Sequence, residues 1–201
     1  MTAAGADETP EGATPLDDDD AEGLLPSHIS TKGDLNEWEH LNISAALNWS
    51  LPSRRRQPEE VLSVSFAEEL HRRMFDRTWR WAGTYRKTLA TLGSPPERVR
   101  VDLRERLADA RYWHENHAFP FDDIAARLHH ALVVVHPWPN GNGRWSRLMA
   151  DAYLGSVGEP LFTWGGGDLV AASGLRGDYL RALRAADHGD FAPLLGFARR
   201  V

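Results

Sequence analysis

The chain contains no cysteine. Disulfides, thiol nucleophiles and cysteine-bound zinc are therefore excluded. It also lacks a long apolar run, and nothing approaches the roughly 20 residues needed to span a bilayer. The opening residues are acidic, without the basic and then apolar pattern of a secretory signal. Cytoplasm is the expected compartment, and no membrane partner is expected. A strongly basic face is missing as well. The formal net charge is −6, but residues 1–31 hold eight acidic side chains and no Lys or Arg. The remainder has 21 acidic against 23 basic side chains, so it is close to neutral. A nucleic-acid binder usually concentrates positive charge on one face. The short clusters Arg54–Arg56 and Arg199–Arg200 read as solvated, and no direct nucleic-acid partner is expected.

What is present fits an ordinary globular chain of 201 residues, 42% hydrophobic and 26% charged. Residues 1–26 are rich in Ala, Gly, Thr, Pro and Asp, and cannot bury enough apolar surface to offset their ordering entropy. They are expected to form a flexible acidic tail on a single domain at 27–201. Asp34 can N-cap a helix to about Trp49. Leu62, Phe66, Leu70 and Phe75 lie near a 3.6 period and predict a helix over 59–78. Further helices are expected at about 102–115, 122–135, 143–157, 170–187 and 191–199. Residues 84–100 alone read otherwise. Thr84, Tyr85, Thr88, Leu89, Gly93-Ser-Pro-Pro96, Val99 and Val101 suggest a short β-hairpin or ordered flap. The expected class is all-α, or mainly α, with that one flap.

The chemistry concentrates in His136-Pro-Trp-Pro-Asn-Gly-Asn-Gly-Arg144, followed by Arg147. His136 closes an apolar helix, and Pro137 disfavours the α conformation for it. A histidine there is a candidate base near neutral pH. Gly141 and Gly143 let the backbone approach a ligand closely. The next helix begins there, and its unpaired N–H groups and positive dipole end suit an anion. Arg144 and Arg147, in its first turns, add guanidinium forks that match phosphate oxygens. Asn142 can donate to the same anion or cap the helix. Each piece alone is common in proteins without such chemistry. Their conjunction points to a nucleotide.

These residues resemble the Fic (filamentation induced by cAMP)/Doc signature, H-P-F-x-[DE]-G-N-G-R-x-x-R. The flanks Glu69–Phe75, Trp79–Gly83, Tyr179–Leu183 and Asp187–Asp190 are similar to Fic segments too. More narrowly, the chain from Glu11 onward is similar to the subfamily called mobile mystery protein B, found on bacterial mobile elements. The resemblance implies a Fic-type helical bundle with the flap beside the active site. It implies AMP transfer from ATP to a Ser, Thr or Tyr hydroxyl of a target protein. By matching position, His136 would deprotonate that hydroxyl. Gly141, Asn142 and Gly143 would hold the α- and β-phosphates, and Arg144 and Arg147 would neutralise the β- and γ-phosphates. The flap at 86–97 would pair with the target backbone. Trp138, in place of Phe, would plug the core beneath the loop. Tyr179 is a candidate for the adenine pocket, with helix packing as its plainer reading.

Asn140 departs from the pattern, which has a Mg²⁺-binding Asp or Glu there. An amide oxygen can contact a hard cation but brings no charge. Asn140 is therefore the candidate metal contact, with weakened affinity, or merely a turn former. The alternative function is a nucleotide-binding regulatory or scaffold module with little transfer. Family members that inhibit themselves carry an [ST]-x-x-x-E-[GN] helix. Here only Ser65 and Glu69 have that spacing, and Leu70 follows. They read as structural. Glu37 or Glu39 is the candidate inhibitory carboxylate without the motif. A separate inhibitor, or none, is the favoured expectation, and the subfamily resemblance implies a co-encoded helix-turn-helix partner. His114 and His117 are spaced i, i+3 without a third ligand, which argues against zinc.

Overall fold

The structure, a computed structural model, describes residues 23–26, 32–51, 55–166 and 174–200. Most of the expected acidic tail lies outside these residues. The chain divides into two compact units, one comprising Leu16–Phe162 and the other containing Thr163–Val201.

In the first unit the helices are α1 (Lys32–Ser50), α2 (Pro58–Val61), α3 (Val64–Phe75), α4 (Val99–Glu115), α5 (Phe121–Val135) and α6 (Asn142–Val157). α5 packs on α4 and α6, and α3 packs on α1 and α6. The apolar stripe read from the sequence, Leu62, Phe66, Leu70 and Phe75, is buried, as are Met74 of α3, Ile124, Leu128 and Leu132 of α5, and Trp145 and Met149 of α6. Burying such side chains is worth roughly 1.5–3 kcal/mol each. The Trp145 indole donates to the Ala67 carbonyl at 3.0 Å, which ties α6 to α3. Asn42 ties α1 to the end of α3. It donates to the Arg73 carbonyl at 2.9 Å and accepts from the Arg77 backbone at 3.0 Å.

Two expectations change. The helix expected over 59–78 is broken after Val61. Ser63 adopts extended backbone, and its hydroxyl accepts from Phe66 N–H, so a new helix is capped there. The expected hairpin is absent. Among the described residues there is no strand, only an isolated bridge between Leu24 and Trp79. Residues 84–98 form a loop whose backbone bonds go elsewhere. Arg86 N–H donates to Pro137 O, and Ser94 N–H donates to Val135 O. Arms that bond to a neighbouring segment have no need to pair with one another.

In the second unit, α7 (Gly174–Asp187) packs on α8 (Ala192–Arg199). The Thr163 hydroxyl donates to the carbonyls of Ala198 and Arg200. The expected start of α7 near 170 falls outside the described residues.

Candidate active site

His136 is the C-cap of α5 and sits in the left-handed region, φ 51° and ψ 59°. For a non-glycine residue that conformation costs roughly 1–2 kcal/mol. The surroundings hold it there. The carbonyls of Val135, His136 and Pro137 all accept hydrogen bonds from residues 86–94. The His136 carbonyl takes the Arg86 Nε–H at 2.6 Å. The Arg86 guanidinium also donates to the carbonyls of Thr88 and Ser94, so one buried cation gathers both limbs of the loop. Gly93 completes the closure. A Cβ there would lie 2.7 Å from the His136 Cβ, so only glycine admits the contact.

The His136 side chain is consequently buried. Desolvation, and then the Arg86 charge, push its pKa down to about 4. Near neutral pH the ring is uncharged, and it can take up a proton without first losing one.

The signature loop rests on an aromatic floor. Trp138 is fully buried, as expected of a plug. Its ring stacks on His71 at 4.4 Å and on Tyr85 at 5.0 Å, and meets Trp145 edge-on. His71 is the link between floor and loop. Gly83 N–H donates to its Nδ1 at 3.0 Å, so Nδ1 is the acceptor and Nε2 carries the proton. Nε2–H then donates to the Asn140 carbonyl at 3.1 Å. Burial drives the His71 pKa down to about 3, consistent with a neutral ring.

The loop's own side chains are largely committed. Asn142 clamps the backbone of Trp138 from both ends. Its Oδ1 accepts from Trp138 N–H at 2.9 Å, and its Nδ2 donates to Trp138 O at 2.8 Å. Its side chain braces the turn, and Gly141 is the N-cap of α6. Asn140 Oδ1 accepts from Gly141 N–H at 2.6 Å, a turn-forming contact. Gly141 has φ +78°, and a Cβ there would come within 2.3 Å of the Phe75 ring. The turn therefore lies directly against α3. Gly143 is open, its nearest neighbour being an Arg147 guanidinium nitrogen.

The two arginines follow on α6. Arg144 lies over the Phe75 ring at 5.1 Å and pairs with Glu39 of α1. The Arg147 charge, second to burial, helps push His129 down to about 3. Thus Asn142, Gly143, Arg144 and Arg147 lie in the first turns of α6 behind the Asn140-Gly141 turn, and His136 ends α5 at the other side of that loop. Tyr179 belongs to the second unit, where its buried ring packs against Phe197 at 5.5 Å. Glu69, the carboxylate of the inhibitor-like spacing, pairs with Arg72 and Arg73 of its own helix. His114 contacts the Tyr153 hydroxyl.

Sequence reasoning missed His71, Arg86 and Phe75 as parts of the site. His71 left a signal, since a histidine inside an apolar helical stripe needs a polar partner. Arg86 left none.

Among the described residues no group of three His, Asp or Glu side chains stands ready for a metal ion. Asn140 Oδ1 is a neutral oxygen already engaged by Gly141. The loop thus offers a divalent cation a neutral amide oxygen and no carboxylate.

A buried histidine that ends one helix, and a glycine-bearing loop that opens the next with two arginines, are the features set against known proteins. Residues 61–154, a little under half of the chain, match the model of the Fic/DOC family. It is similar to the protein adenylyltransferase Fic of Nematostella vectensis, 28% identical over 176 residues, 86% of this chain and 39% of the relative. The chain thus spans well under half the length of that relative. It is similar to the Caenorhabditis elegans Fic-1 fragment aa134–508 carrying E274G, with 26% identity and a TM-score of 0.64 over 89% of this chain and 51% of the other. Its fold is also that of the BepC protein of Bartonella tribocorum, solved with bound AMPPNP. There the TM-score is 0.64 at 16% identity, covering 90% of this chain and 95% of that one.

Proposed function

We propose that the protein is a Fic-type adenylyltransferase that moves AMP from ATP to a Ser, Thr or Tyr hydroxyl of a target protein. The observation that carries this reading is the buried His136 at the end of α5, joined by the braced 137–141 loop to the α6 N-terminus that bears Arg144 and Arg147. In the proposed step the hydroxyl oxygen attacks the α-phosphorus, and the bond from that phosphorus to the bridging oxygen breaks. Pyrophosphate leaves with the electron pair, and the hydroxyl proton passes to the His136 ring. The N–H groups at the start of α6 receive phosphate oxygens, and the arginines balance their charge. Asn142 and His71 contribute by fixing the loop that presents those groups. The relatives' names support this reading, and the AMPPNP of the Bartonella protein makes ATP the first donor to test. Tyr179 is kept as the candidate contact for the adenine ring.

A Mg²⁺ ion, in this reading, arrives on the ATP phosphates, with Asn140 Oδ1 as a neutral contact. The protein acts in the cytoplasm, and a helix-turn-helix partner encoded beside it restrains it. Incubation with labelled ATP and cell lysate should label a protein band. His136→Ala should abolish that label. Equal labelling by wild type and variant sinks the assignment.

A second reading is favoured by one contact. Asn140 carries no charge, and its Oδ1 is engaged by Gly141, so the protein binds nucleotide and transfers it poorly. That reading predicts ATP binding without labelling, and gain of labelling by Asn140→Asp.

A further inference from the structure

Arg144 is not left to find phosphate unaided. Its guanidinium lies over Phe75 and donates from one Nη to Glu39 Oε2. Glu39 is 105 residues away in sequence, on α1. Its carboxylate is only 4% exposed, and the other oxygen accepts from Trp79 Nε1–H at 2.7 Å. Trp79 is itself 2% exposed. One helical turn onward, Asn42 bonds Arg73 O, Asp76, Arg77 N–H and the Thr78 hydroxyl, and fixes α1 against the end of α3. The carboxylate is therefore built into the core at both oxygens.

A carboxylate facing an active-site arginine suits either of two roles. It can occupy the arginine as a removable plug, or hold it in place as a permanent brace. The geometry separates them. A plug must leave when nucleotide binds, but Glu39 cannot leave without breaking its buried bond from Trp79. A plug must also mask the donating edge of the guanidinium. Glu39 takes one Nη rather than both prongs of the fork, and a guanidinium carries five N–H donors. We propose that Glu39 is a positioning residue, which orients Arg144 for the phosphates of a bound nucleotide and is not an inhibitor of the site. The proposal rests on Arg144 being a phosphate ligand, as read above. Its physical basis is preorganisation: an arginine already fixed loses less rotamer freedom when the anion arrives.

The test measures binding of ATP to the full chain by calorimetry, with labelling of a lysate as a second readout. Glu39→Gln keeps an oxygen for Trp79 and removes the charge that holds Arg144. It should weaken ATP binding about tenfold, the size expected for one charge-assisted contact, and labelling should fall rather than rise. The same substitution placed on Arg144→Ala should have no further effect on ATP binding, because Glu39 acts only through Arg144. A purely structural role would weaken both backgrounds equally, and that additivity overturns the proposal. So does stronger labelling by Glu39→Gln, the signature of a released inhibitor. If Arg144→Ala binds ATP as well as wild type, the phosphate-ligand reading falls and takes this one with it. If Arg144→Ala weakens binding while Glu39→Gln does not, only the positioning role is lost.

Discussion

Lowering the pH from 7 to 5 should remove a large part of the folding free energy, through three buried histidines. Burial holds His71 and His129 neutral with pKa values near 3, and His136 with one near 4. In the unfolded chain each returns to about 6.5. Between those limits the unfolded state binds a proton that the folded state refuses, so stability rises with pH. The contribution is complete above about 6.5 and is lost as pH falls toward the folded values. From pH 7 to 5 each histidine costs about 2 kcal/mol, or roughly 6 kcal/mol for the three. Whole domains are stable by only about 5–15 kcal/mol. The lowered carboxylates Glu69, Asp102 and Asp178 start from ordinary values of 4.5, 3.8 and 3.8, so their losses fall below this window. Urea unfolding at pH 7, 6 and 5, followed by emission of the eight tryptophans, measures the slope. His129→Gln should remove about a third of it. An unfolding free energy that is flat or rising as pH falls refutes the burial argument.

The same displacement of His136 fixes a kinetic expectation. If it is the base in the free enzyme, the acid limb of kcat/KM for transfer lies near pH 4 rather than 6.5; a limb at 6.5 means another group takes the proton. Gly141→Ala puts a methyl into Phe75 at a left-handed residue and should cost about 3 kcal/mol, read as a lower urea midpoint, together with ATP binding. Arg86→Ala frees the carbonyls of Thr88, Ser94 and His136, and protease cleavage within 84–98 should quicken severalfold. Asn140→Asp should make ATP binding more dependent on Mg²⁺, since it adds a charge that phosphate alone repels. Calorimetry with and without the ion checks it.

The helices were readable because their apolar positions recur at short spacing, and local periodicity survives folding. α5 and α6 come out within a residue or two of expectation. The break at Ser63 was less visible, because a single capping hydroxyl decides it against an otherwise continuous stripe. The 84–98 segment was misread for a different reason. Its β-branched and aromatic residues and its Gly-Ser-Pro-Pro turn do suit strands, but strand propensity describes a half-buried pleated surface rather than a backbone preference. Arg86 and Ser94 found better partners in the carbonyls of 135–137.

The site divides along the same line. His136 through Arg147 announce the proposed chemistry because a histidine, a glycine turn and two cations lie close together in the sequence. What makes them usable is not contiguous. His136 is held in a conformation unfavourable to its own side chain by Arg86, 50 residues earlier. Asn140 is placed by His71 across 69 residues, and Arg144 by Glu39 across 105. A short motif can encode which groups react, since that depends on residue type. It cannot encode where they are held, since a strained loop keeps its shape only if surrounding structure over-determines it. Transplanting residues 136–147 alone onto another helical pair would therefore carry over the proposed phosphate-binding groups without the geometry that holds them.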